Sequence, residues 1–376
     1  MFQRILVPLD GSTRAEQALP LAAKVARASG GSVVLLRVIG PDPIAYNRYM
    51  SGVSIGGLYG SAIEVRAALD QHAIERAREE VKRYLEATAA SRELQGITVE
   101  TKVLFGPVPL TILSAAPSLH ADLLVLCSRG YTGFKRWTCG SVAQHITREA
   151  PVPVLILHED GGMPTRLSQE GFPARILVAL DGSSMAEEAL VPAAYLSAAL
   201  SAPARGKLHL VQVLRLPIRF EYGQTDALAR ARQQGTAEAS AYLRNVGQRL
   251  LHGDLAHLDL RVSSSVAVHM DVAEALMSLA EHGEAKREAE RFDGSDIIAL
   301  ATHGRSGLQR WARGSVTERL LEATKLPLMI VHPASMRGGI SRGTEATHEG
   351  PGKITAAQVD ETEGTATQVP SRAGLF

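Results

Sequence analysis

Two loops in this chain carry the residue types from which an anion site is built. Cys127-Ser128-Arg129-Gly130 is followed after nine residues by Gly140-Ser141, and Ala301-Thr302-His303-Gly304 is followed after nine by Gly314-Ser315. Glycine lets a backbone come close to a phosphate. A Gly-Ser that opens a helix presents free amides and the positive end of the helix dipole, and the serine adds a hydroxyl donor. Arg129, Lys135, Arg136, Arg305 and Arg310 supply a cationic rim. The chemistry favoured is retention of a phosphate-bearing ligand. No Gly-x-x-x-x-Gly-Lys phosphate loop, Gly-x-Ser-x-Gly elbow or metal-ligand cluster accompanies it, so no catalytic residue and no metal site are assigned.

A second element recurs with the loops. Arg4-Ile5-Leu6-Val7-Pro8-Leu9-Asp10-Gly11-Ser12 returns as Arg175-Ile176-Leu177-Val178-Ala179-Leu180-Asp181-Gly182-Ser183. Gly133–Val142 returns in the same way as Gly307–Val316. The chain is a tandem duplication, and a period this long is one globular unit rather than a solenoid repeat. Asp10 and Asp181 by themselves read as the start of a strand-to-helix turn, as Asp-Gly often does. Their joint appearance with both loops points to a site.

The elements that must position these residues are legible from periodicity. Ile5–Leu9 is a continuous apolar run, which suits a strand covered on both faces of a parallel sheet. Thr13-Arg14-Ala15-Glu16 and Ser184-Met185-Ala186-Glu187 fit a capping box at a helix start, and apolar residues at Ala18, Ala22, Val25 and Ala26 carry that helix to Gly30-Gly31. Strands follow at Val33–Val38, Thr98–Leu104, Leu123–Leu126 and Val154–Leu157, with helices over about 62–90, 110–118 and 142–149. The second copy places strands near Leu208–Leu214, Arg261–Val268, Ile297–Leu300 and Leu328–Val331. The expected fold is α/β: two tandem, doubly wound, open parallel sheets of five strands each, Rossmann-like. Residues 1–158 and 174–333 are the two domains. Residues 159–173 read as a surface linker, 334–376 as a disordered tail, and Glu281–Arg291 as a charged helical extension with a solvated face.

These residues and motifs resemble the universal stress protein family. Its nucleotide-binding members carry Gly, two residues, Gly, nine residues, Gly-Ser or Gly-Thr, together with an aspartate ending the first strand. The resemblance covers about residues 2–158 and 173–332. It implies an adenine nucleotide alpha hydrolase-like fold with the first and fourth strands side by side, and a ligand in the crevice at that switch point. Carried over by position, Asp10 and Asp181 meet the adenine edge and the backbone at Val38 and Val213 reads the base. Gly130, Gly140, Ser141, Gly304, Gly314 and Ser315 hold ribose and phosphates, beside Arg129 and His303. Cys127 and Ala301 stand where nucleotide-binding members prefer the first glycine. The implied cofactor is ATP or a related adenine nucleotide, in one version with Mg2+. The family's domains commonly pair through their last strands, so Val154–Leu157 and Leu328–Val331 are expected to join the two copies, and a homodimer of the whole chain stays open.

Composition bounds the alternatives. With 376 residues, 45% hydrophobic and 21% charged, there is apolar content for two cores, and a net charge of +1 argues against nucleic acid or an anionic membrane as a partner. The start enters a strand at once without a leader pattern, and no run approaches a membrane span, so a cytoplasmic protein is expected. Cys127 and Cys139 are too few for a disulfide framework; a redox pair between them is the minor reading. Lone histidines His145, His158 and His332 read as surface or interface residues. Three functional classes remain: a nucleotide-binding stress regulator with unidentified protein partners, a member of the same fold that binds no nucleotide and acts as a scaffold, and an enzyme, for which the motifs are missing.

Overall fold

The computed structural model describes residues 1–40, 60–128, 141–159, 163–169, 171–215, 225–284, 292–302 and 316–333. Residues 1–338 form one compact unit. Its strands are β1 (Arg4–Pro8), β2 (Ser32–Ile39), β3 (Thr98–Phe105), β4 (Leu123–Ser128) and β5 (Val154–His158), then β6 (Arg175–Leu180), β7 (Lys207–Arg215), β8 (Arg261–His269), β9 (Ile297–Ala301) and β10 (Leu328–Val331).

Each copy contributes five parallel strands, and the two sets are fused. The order across the sheet is β3-β2-β1-β4-β5-β10-β9-β6-β7-β8, ten strands in all. Nine neighbours need eight parallel pairings and one exception: β5 and β10 run antiparallel, with Leu155 opposite Met329 and Ile156 opposite Leu328. Pro153 and Pro327 stand immediately before the paired residues, where a missing N–H costs the short ladder nothing.

The continuous apolar runs are explained by burial on both faces. Ile5, Val7, Leu35, Val125 and Leu155 face one core with Ile176, Val178, Leu210 and Met329, beneath the helices Leu19–Ser29 and Leu190–Ser201. Leu6, Val34, Leu124 and Ile156 face the other with Leu177, Ile298 and Ile330, covered by the helices Val108–Ser118, Ser141–Glu149, Val272–His282 and Val316–Ala323. Both cores run unbroken across the β5–β10 seam.

Several local expectations are corrected. The caps are Ser12 and Ser183, not Thr13 and Ser184: each serine hydroxyl accepts from the amide three residues on, Ala15 or Ala186, so neither glutamate completes a capping box. The helix after each cap is broken rather than continuous, a short turn at Thr13–Glu16 followed by Leu19–Ser29. Pro20 and Pro192 lack the N–H that would bond the carbonyl four residues back, which accounts for the break in both copies.

The segment read as a surface linker is partly buried. Leu167, on the short helix Thr165–Ser168, is 1% exposed, and Lys24 Nζ donates to its carbonyl at 2.5 Å. The charged extension is not helical through its length. The helix ends at His282, Gly283 takes φ +73°, and Glu284 pairs in a bridge with Phe292. A side chain at Gly283 would collide with the Phe292 carbonyl, so only glycine fits where the helix ends; residues 285–291 lie outside the described residues. Of the histidines read as surface or interface residues, His158 and His332 are buried at the ends of β5 and β10, the strands that join the two copies. The tail from 334 onward, the Gly-rich segments 129–140 and 303–315 and residue Cys139 lie outside the described residues.

Candidate functional site

The sheet order creates the same crevice twice. Beside β1 lie β2 on one side and β4 on the other, and beside β6 lie β7 and β9, so the connections leave in opposite directions at the carboxyl ends of β1 and β6. The last pair between β1 and β2 is Pro8 with Leu36, after which the Leu9 amide donates to Leu36 O at 2.8 Å. Arg37, Val38 and Ile39 therefore run on past the end of β1, and the Val38 backbone borders the opening. Val213 does the same beyond the Leu180–Gln212 pair.

Asp10 and Asp181 stand at this opening, exposed and held by an Asx turn. Asp10 Oδ1 accepts the Ser12 amide at 3.0 Å and the Ser12 hydroxyl. Asp181 Oδ1 accepts the Ser183 amide at 2.9 Å and its hydroxyl at 2.6 Å. Only one oxygen of each carboxylate is used by the turn. Burial opposes the charge on Asp10, but the Ser12 hydroxyl and amide and the Arg14 and Arg37 guanidiniums outweigh it and hold the carboxyl below the usual aspartate value.

Cys127, at the end of β4, is part-buried beside this turn. Its Sγ lies 3.8 Å from Gln17 Oε1. Burial and then the Glu159 carboxylate, with Asp10 acting the same way against Arg14, push its thiol up to about 11. It is a small neutral group here rather than a reactive thiolate. Ala301 is its counterpart on β9 and leaves a smaller side chain at the same place.

The remaining predicted residues divide by position. Ser141 opens the helix Ser141–Glu149, as expected. Arg129, Gly130, Gly140, His303, Gly304, Gly314 and Ser315 lie outside the described residues. Among the described residues no group of His, Cys, Asp and Glu side chains could hold a metal ion, and no helix is long and apolar enough to cross a membrane.

Other lining residues were not singled out from sequence. Arg37 reaches across the turn and donates from Nη1 to Leu9 O at 3.2 Å, and Gln212 occupies the equivalent register on β7. Arg14 spans the opening of the first copy, 3.4 Å from Asp10 Oδ2 and 3.7 Å from Glu159 Oε2. The signal was available: Arg37 is a lone polar residue inside an otherwise apolar strand run next to Val38, and Gln212 is one of two interior polar residues of its strand, next to Val213.

With this geometry in hand, comparison with known proteins decides the family. The model of the universal stress protein family matches residues 1–158 and again 174–332. The chain belongs to that family. A universal stress protein of Mycolicibacterium smegmatis is 25% identical over 331 residues, spanning 88% of this chain and 97% of its own length. The universal stress protein YxiE of Bacillus subtilis, 27% identical over 161 residues, covers 42% of this chain with 99% of its own. Among solved structures, a universal stress protein from Archaeoglobus fulgidus aligns at TM-score 0.53 and 19% identity, covering 88% of this chain and 99% of its own, which supports the fold. Universal stress protein domains thus occur here as a fused pair sharing one sheet.

Proposed function

We propose that this tandem universal stress protein binds ATP or a related adenine nucleotide at its switch-point crevices and acts as a regulator or sensor in the stress response. The observation that carries the reading is the crevice itself, formed at the ends of β1 and β6, where a carboxylate oxygen beyond the needs of the Asx turn stands beside strand backbone that has run past its neighbour. An exocyclic amine and a ring edge suit such a pair of partners. The described residues are compatible with a nucleotide: Asp10 and Asp181 with the Val38 and Val213 backbone would meet the base end, and the helix start at Ser141 would face the phosphate end. The nucleotide supplies the binding energy that stabilises one arrangement of the pair, which partners then read. We propose binding without a dedicated catalytic step, in the cytoplasm.

A second reading is a scaffold that binds no nucleotide, favoured by the Arg14 ion pairs that occupy the first opening. Mass spectrometry of small molecules released from protein purified without added nucleotide, paired with ATP titration onto the stripped protein, separates the two. Recovered ATP or AMP, or saturable binding, supports the first. An empty chain that fails to bind at millimolar ATP overturns it.

A further inference from the structure

The duplicated crevices share a turn but not their lining. Position by position, Arg14 is replaced by Met185, Arg37 by Gln212, Cys127 by Ala301 and Glu159 by Pro333. In the first copy the polar groups satisfy one another. Arg14 holds Asp10 Oδ2 and Glu159 together, and Arg37 is bonded to the Leu9 carbonyl. A ligand entering there must break ion pairs before it gains any, and must pass the Cys127 side chain.

The second copy is left unfinished. Asp181 uses Oδ1 for its turn, and among the described residues Oδ2 accepts no hydrogen bond. Gln212 stands behind the same turn, its Nε2 3.6 Å from where a Cβ on Gly182 would sit, and its Oε1 is buried without a hydrogen-bond partner among the described residues. A buried amide oxygen left unmet is costly, and the cost is removed by a donor brought in from outside. Met185 cannot close this opening as Arg14 closes the other.

We infer that the two crevices are not equivalent and that the one at Asp181 takes the nucleotide, through hydrogen-bond donors of its nucleoside end, while the one at Asp10 is held shut by its own ion pairs. The inference rests on the nucleotide-binding reading. Both unmet groups are acceptors. The wall thus selects the amine and hydroxyls of an adenosine over its phosphates.

The test uses the full chain stripped of ligand. Calorimetric titration with ATP should give one molecule per chain, and photolabelling with 8-azido-ATP followed by peptide mapping should mark peptides from residues 174–333 alone. Met185→Arg, which installs the first copy's closure, should weaken ATP at least tenfold while leaving the urea midpoint in place. Arg14→Met with Arg37→Gln should raise the stoichiometry toward two. Two equal sites in the wild type, or label in residues 1–158, overturns the inference and leaves the nucleotide reading intact; no binding by any of these proteins overturns both. Should Met185→Arg fail to fold, the position of the label in the wild type decides.

Discussion

Asp181 Oδ1 accepts both the Ser183 hydroxyl, at 2.6 Å, and the Ser183 amide, at 2.9 Å, and the same hydroxyl oxygen then accepts the Ala186 amide at 3.1 Å. One carboxylate oxygen thereby fixes the residue that caps the following helix. Ser183→Ala should cost about 1 kcal/mol of stability, the usual worth of an N-cap. Urea unfolding measures it. A midpoint that does not move would show the cap to be dispensable.

The seam makes a second prediction. Leu155 and Met329 face each other across the antiparallel pair, both fully buried; one core continues through them and the other through their neighbours Ile156 and Leu328. The two halves should therefore unfold together. Calorimetry should show a single transition for residues 1–333, and Met329→Ala should shift it as one, at a cost of about 2–5 kcal/mol for a large-to-small change in a packed core. Two resolved transitions, only one of them moved by the substitution, would contradict a shared core.

Cys127 gives a prediction in reactivity. With its thiol pushed up to about 11, the thiolate is scarce at neutral pH. In a Cys139→Ser protein, alkylation by iodoacetamide should be slow at pH 8 and should climb through pH 10 rather than level off near the ordinary thiol value. Arg14→Met should slow it further, because Arg14 is the neighbour that favours the anion. Rapid labelling at pH 7 would refute the assignment.

Tyr84 provides a pH dependence with a definite sign. Its hydroxyl donates to Glu16 Oε1 at 2.9 Å, and burial followed by that bond raises the phenol to about 12 from 10.0. The folded chain keeps this proton where the unfolded chain releases it, so the contribution is complete below pH 10 and is lost as pH rises toward 12. Tyr84→Phe should remove that slope from a plot of unfolding free energy against pH. An unchanged slope would assign it to other groups.

Much of the architecture was legible because apolar runs bounded by glycine and proline are direct statements about burial: β1 and its copy β6 are readable from Ile5–Leu9 and Ile176–Leu180 alone. What escaped was register. Moving the cap by one residue, from Thr13 to Ser12, depends on the Asp10 side chain bonding its own turn, which no helical period reports. The helix end at Gly283 escaped because the charged sequence around it has good helix propensity, whereas the left-handed glycine and the bridge of Glu284 to Phe292 end the helix at His282. At the site, the aspartates and the helix start at Ser141 were legible, whereas the closure by Arg14 and Glu159 was not, since those residues lie far apart in sequence and meet only where β1 and β5 end on the same edge of the sheet.

The opposite end of β6 carries the last prediction, and the duplication supplies its control. Asp296, 3% exposed, accepts the Arg175 amide at 2.9 Å and the Arg175 guanidinium at 3.0 Å, joining the starts of β6 and β9. Its equivalent Asp122 accepts the Gln3 and Arg4 amides at 2.7 and 3.0 Å, but the Arg4 guanidinium turns away to Glu100. Removing Asp296 leaves the nearly buried Arg175 guanidinium without a carboxylate, held only by the Asp293 carbonyl at 2.7 Å, and leaves an amide unmet, whereas removing Asp122 strands amides only. Asp296→Ala should therefore cost about 3–5 kcal/mol, the range for breaking a buried ion pair, and Asp122→Ala about 1–3 kcal/mol, the range for unmet hydrogen-bonding groups. Adding Arg175→Met to Asp296→Ala should recover part of the loss, because the stranded charge goes with it. Equal costs for the two aspartates, or no recovery in the double variant, would mean that the amides alone hold the strand starts together and that the guanidinium contributes nothing.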